Sequence, residues 1–163
     1  MIASLLLAAA VSTTPKPCTN VKNPPLCREL LDIYDRHELA RAKTTKAAEA
    51  KKIDAANLAR LEAILNSFGW PGRNLVGDRA SAAAWSVRHN ADLATQKTYF
   101  DTMKAAADAK ELSPRLIAAT MDRMAVRQGQ PQTYGTEPNA PIDDEEHVDD
   151  RRAKVGLPAL KKP

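Results

Sequence analysis

The chain has 163 residues, a formal charge of +4 and an aromatic content of only 4%. That length suits one domain with a real core, and so few aromatics favour an Ala/Leu-rich helical core over a β-sandwich. Its early basic residues, from Lys16 to Lys52, are interleaved with acids. They form no clustered basic patch with stacking aromatics of the kind that binds nucleic acid.

The N-terminus reads as an export signal over residues 1–13. An apolar run at residues 2–11 ends in small residues that fit a cleavage site, although no Lys or Arg precedes it. The run is too short to span a bilayer, so no integral membrane span is expected. Pro15-Lys16-Pro17 before Cys18 lacks the small residue of a lipoprotein cleavage box. Residues 14–25 form a Pro-rich arm that holds Cys18, and Cys27 lies just beyond it. In an oxidising compartment these pair as one disulfide, and their spacing suits neither a metal site nor a redox motif. The expected location is therefore periplasmic or secreted, with a cytoplasmic protein carrying two free thiols as the alternative.

A single helical domain is expected over residues 26–160. Its first helix follows Pro24-Pro25, with Leu26, Leu30, Ile33 and His37 on one face and Tyr34 alongside. The Ala/Lys-rich stretch after Arg41 reads as helix projecting into solvent. Residues 54–68 form the cleanest amphipathic helix, with Asp54 as its cap, Leu58, Leu61, Ile64, Leu65 and Phe68 on one face, and Gly69 as its stop. Trp70-Pro71-Gly72 then forces a turn, with Trp70 expected to pack on Phe68.

One long central helix is expected over residues 78–110, since no Gly or Pro interrupts it. Ala80, Ala84, Val87, Ala91, Ala94 and Thr98 form a small-residue stripe, while Trp85, His89, Asp92, Gln96, Phe100 and Met103 form a second, larger one. Ser113 and Pro114 start the next helix, whose Ile117, Thr120, Met121 and Met124 face the core. Residues 129–141 are loop. Asp143 and Glu146 form a capping box for the last helix, which Gly156-Leu157-Pro158 ends in a Schellman motif. No stretch alternates with period two. The expected architecture is all-α, a single-domain bundle of about five helices.

Several of these residues together resemble a known family. They are Asn57, Leu58 and Leu61, then Gly69-Trp70-Pro71, Leu75-Val76-Gly77, Ala84-Trp85, and His89 with Asp92 and Gln96. Met103, Asp122-Arg123, Gly129, and the run from Gln132 through Thr133, Tyr134 and Gly135 to Thr136 follow. The tail adds Pro141-Ile142-Asp143, Asp149, Arg151-Arg152 and Gly156-Leu157-Pro158. From about residue 54 to 160 the chain resembles the bacterial family catalogued as domain of unknown function 6624. The resemblance implies a small helical domain and no particular activity. It also implies three departures. The family has Gln-His-Ala where this chain has Arg88-His89-Asn90, Gln where it has Glu137, and a longer insert before the Pro-Ile-Asp tail.

His89, Asp92 and Gln96 share one side of one helical pattern. If the next helix and its loop fold back on it, Asp122, Arg123, Gln132 and Tyr134 join them in a polar pocket. A histidine base oriented by a carboxylate, with an arginine to hold an anion, is a possible hydrolytic site. The candidate catalytic residues are therefore His89, Asp92, Asp122 and Arg123, and the candidate binding residues are Trp85, Gln96, Gln132 and Tyr134. The plainer reading is that these polar groups hydrogen-bond one another to hold the fold. No metal site is expected, because the three histidines lack zinc-helix spacing and the acidic run at residues 143–146 lacks a calcium loop's spacing. No cofactor motif is present. The preferred function is an exported, non-catalytic module that binds a partner protein or small molecule, with a small exported hydrolase as the alternative.

Overall fold

A computed structural model describes residues 18–160; the expected signal peptide lies outside them. Among the described residues there are seven α-helices, one short 3-10 turn and no strand. The first helix, α1 (Pro24–Arg41), is capped by the Asn23 side chain, which accepts from Leu26 N–H. Pro24 and Pro25 occupy the first turn, where a missing N–H costs nothing. Cys18 and Cys27 are joined by a disulfide that ties the arm to this turn.

The second helix, α2 (Ala47–Phe68), takes in most of the Ala/Lys-rich stretch expected to continue α1, which instead ends at Arg41, and so starts two turns ahead of Asp54. Asp54 is therefore no cap. It sits inside α2 and pairs with Arg41 across the α1–α2 junction, at 2.9 Å. The Ala, Glu and Lys residues ahead of it are strong helix formers and carry the helix back to Ala47. Gly69 ends α2 at φ +67°. Trp70 turns inward rather than onto Phe68: its indole N–H donates to Ser81 Oγ at 3.0 Å, while Phe68 stays 51% exposed. A one-turn helix, α3 (Arg73–Val76), then leads into α4 (Asp78–His89).

The expected long helix is broken in two. After α4 the chain bends at Asn90 and Ala91, and α5 (Leu93–Asp108) starts with Asp92 as its N-cap. Asp92 accepts from Thr95 N–H at 2.8 Å, while the Asn90 amide donates to Ser86 O at 2.9 Å. Asn and Asp side chains compete with the helix for backbone hydrogen bonds, and here one such residue closes a helix and the next opens another. Only α4 is central. It packs on α1, α2 and α3 and also on α5 and α6. The small stripe makes this possible, since Ala80, Ala84 and Val87 are buried and admit close neighbours. Leu30, Ile33, Leu61, Ile64 and Met103 fill the space around them.

A tight turn joins α5 to α6 (Pro114–Arg127). Ser113 and Pro114 open α6 as expected, although the Ser113 side chain makes no capping bond. The expected capping box of Asp143 and Glu146 does not form. Asp144 is left-handed (φ +47°), residues Glu145–His147 make the 3-10 turn, and α7 (Val148–Lys154) follows. The Schellman ending is present: Leu157 N–H reaches Arg152 O at 2.9 Å and Gly156 N–H reaches Ala153 O at 3.1 Å.

Candidate functional site

The break after His89 disperses the pocket that a continuous helix would build. His89 ends α4 with its ring stacked on Trp85, centroids 4.4 Å apart. Trp85 is itself held by α6, its N–H shared between Leu116 O and Thr120 Oγ1. The imidazole is only 7% exposed, and its Nδ1 has no hydrogen-bond partner. Burial, with Arg123 and Arg127 nearby, lowers its pKa to about 3. His89 is therefore neutral at any ordinary pH. No hydrogen bond or ion pair joins it to Asp92 or Asp122. Asp92 faces solvent as the α5 cap, and that bond from Thr95 N–H holds its carboxyl below the usual range. Gln96 is buried and folds back, donating to the His89 carbonyl at 2.6 Å.

Asp122 has a different task. It is fully buried, and its two oxygens accept the N–H groups of Thr133, Tyr134 and Thr136 and the Thr136 hydroxyl, at 2.7–3.2 Å. A carboxylate so occupied has little acceptor capacity left for a substrate proton. Gln132 closes the same loop from within, donating to Glu137 O and Ala140 O and accepting from Glu137 N–H. Arg151 and Arg152 reach back from α7 to Thr133 O and Tyr134 O. Tyr134 is thus fastened through its backbone, by Asp122 on one side and Arg152 on the other. The loop at residues 130–143 is a clasp on α6.

Arg123 points away from Asp122, as adjacent helical residues must. Its Nε donates to Glu137 at 2.9 Å and its Nη1 to Asn90 Oδ1 at 3.0 Å. Asn90 Nδ2 lies 3.1 Å from His37 Nε2, and His37 Nδ1 lies 3.7 Å from Asp54 Oδ1, which Arg41 also holds. A polar line thus crosses the bundle from Glu137 through Arg123, Asn90 and His37 to Asp54 and Arg41. It opens at one end into a cleft of about 200 Å³, lined by His37, Arg41, Asp54, Leu58, Val87, Asn90, Ala91 and Asp92. Burial and the nearby Arg41 lower the pKa of His37, so it too is held neutral. Among the described residues no cluster of three or more His, Cys, Asp or Glu side chains is placed to hold a metal ion.

Of the eight expected site residues only Asp92 lines this cleft. Arg123 lies one hydrogen bond behind it, through Asn90. Sequence reasoning placed His37 on an apolar stripe and Asp54 at a helix cap, and gave Arg41 and Asn90 no role. The local signal for part of this was present: Asn90-Ala91-Asp92 reads as a helix end followed by an N-cap. Nothing local signals that α1 and α2 meet at that break.

The family model for DUF6624, a family of unknown function, matches residues 39–162. The chain belongs to that family. The DUF6624 match starts near the end of α1, so His37 comes from just outside it. Two of the departures from the family pattern, Asn90 and Glu137, are the two groups that hold Arg123. Arg88, which departs from the pattern together with Asn90, lies buried with its guanidinium 3.7 Å over the Tyr99 ring. No curated protein and no solved structure matches the chain.

Proposed function

We propose that this DUF6624 protein is an exported, non-catalytic module that binds a small ligand in the cleft between α1, α2 and the α4–α5 break. The observation that carries this reading is the cleft itself: buried His37 and half-buried Asn90 at its inner end, apolar Leu58 and Val87 in its wall, and half-buried Asp54 and exposed Asp92 at its edge. An apolar wall with a few convergent polar groups is the usual form of a small-ligand site. The hydrolytic alternative has less support. Its base, His89, is sealed under Trp85 and is a very weak base, and Asp122 is taken up by the loop. Export is supported by the Cys18–Cys27 disulfide, since such bonds persist in oxidising compartments. No helix among the described residues is long and apolar enough to cross a membrane.

The test is a metabolite screen followed by proton–nitrogen NMR. A saturable ligand should shift the amides of His37, Asn90, Ala91 and Asp92 and be recovered unchanged. Turnover of an ester, amide or glycoside that His89→Ala abolishes, with the cleft unaffected, would sink the reading. For export, native protein should resist thiol alkylation until a reductant is added.

A further inference from the structure

The donors and acceptors of this cleft have a direction that can be worked out. Arginine offers only N–H donors, so the Asn90 oxygen must face Arg123. The Asn90 amide nitrogen then donates to Ser86 O and to His37 Nε2. His37 Nε2 is therefore the bare nitrogen, and the proton of the neutral ring sits on Nδ1. That Nδ1–H is buried and has no hydrogen-bond acceptor. The nearest carboxylate oxygen, on Asp54 at 3.7 Å, is already engaged by Arg41. At the outer edge Asp92 caps α5 through Thr95 N–H, with the Thr95 side chain and Ala94 N–H beside its carboxylate, which stays open to solvent.

The cleft thus presents an unanswered donor inside, a solvent-exposed carboxylate outside, and an apolar wall between them. An anion alone would meet repulsion from Asp54 and Asp92. A cation alone would leave the buried His37 N–H unsatisfied. We infer that the cleft takes a small zwitterion, with its carboxylate on His37 Nδ1–H beside Arg41 and its ammonium on Asp92. The volume of about 200 Å³ suits a free amino acid rather than a peptide. This inference rests on the reading of the cleft as a binding site.

The test is titration of the full chain with alanine and β-alanine, alongside the single-charge probes propionate and propylamine. Calorimetry and the NMR signals of His37 and the Asn90 side-chain amide are the readouts. At least one zwitterion should bind saturably and shift both residues, while propionate and propylamine bind at least about ten-fold more weakly. Asp92→Asn keeps a capping oxygen, so it should fold normally yet lose about ten-fold in zwitterion affinity. Equal binding of propionate or propylamine overturns the inference, as does undiminished affinity in Asp92→Asn. No response to either zwitterion, with some other ligand shifting the cleft, removes the zwitterion and leaves the binding site standing. Silence at the cleft across every ligand class removes both.

Discussion

Asp122 offers the sharpest test of how the C-terminal third is held. It is fully buried and accepts four donors from the loop: three backbone N–H groups and the Thr136 hydroxyl. Asp122→Ala leaves all four without their acceptor. A hydrogen bond to a charged group contributes about 1.5–3 kcal/mol, and a stranded buried donor costs about 1–3 kcal/mol. The loop is half-buried, so water recovers part of that, and about 1 kcal/mol per donor is a fair working figure. The expected loss is then about 4 kcal/mol, a large share of the 5–15 kcal/mol typical of a domain. Asp122→Asn keeps one acceptor oxygen but turns an NH2 toward donors, so about 2–3 kcal/mol is expected. Urea unfolding followed by far-ultraviolet circular dichroism measures both. Native-state hydrogen exchange should show the amides of Thr133, Tyr134 and Thr136 losing protection first. A loss under about 1 kcal/mol in Asp122→Ala, with those amides still protected, would refute the clasp.

Four further predictions concern His89, the polar line and the arm. The native pKa of His89, about 3, lies below the 6.5 of a free histidine. The unfolded chain therefore binds a proton between pH 6.5 and about 3 that the native state refuses, and stability falls as pH drops through that window. His37, also lowered, acts in the same direction. His89→Phe should stay within about 1.5 kcal/mol of wild type near neutral pH and lose stability less steeply on acidification; an unchanged slope in urea melts across pH counts against this. Asn90→Ala should cost about 1–2 kcal/mol. In the wild type, nitrogen NMR of His37 should show the Nδ1–H tautomer, and finding the proton on Nε2 would overturn the donor order. Replacing Cys18 and Cys27 together by Ala should cost roughly 2–3 kcal/mol on the chain-entropy model. A change in melting behaviour no larger than that of an exposed Ala substitution would mean that the arm contributes nothing.

Much of the fold was legible because its causes are local. Helical periodicity, the absence of alternation, Pro24 with Pro25, Ser113 with Pro114, and Gly156 with Leu157 act within a turn or two of the backbone. Their outcomes match the expectation of an all-α bundle. Where weak local signals competed, the reading went astray. Asp54 looked like a cap, yet the good helix formers before it simply extend α2. Asp92 looked like part of a stripe, yet it caps α5 and the helix breaks in front of it. Asp143 and Glu146 had capping-box spacing, yet Asp144 took a left-handed turn, in which Arg151 holds the Asp143 and Asp144 carbonyls.

The sequence by itself determined the helical class, some of the helix ends, the cysteine pair, the family and the residue types of its polar core. Tertiary structure alone decided which of those polar groups meet. Asp122 is committed to a loop more than ten residues further on. His37, Asn90 and Arg123 lie 53 and 33 residues apart along the chain and touch only because α1 and α6 both pack against the end of α4. Hydrogen bonds extend over about 3 Å, while sequence patterns report on neighbours within a turn or two. Contacts spanning dozens of residues are set by how whole helices pack, and that is where the cleft arises.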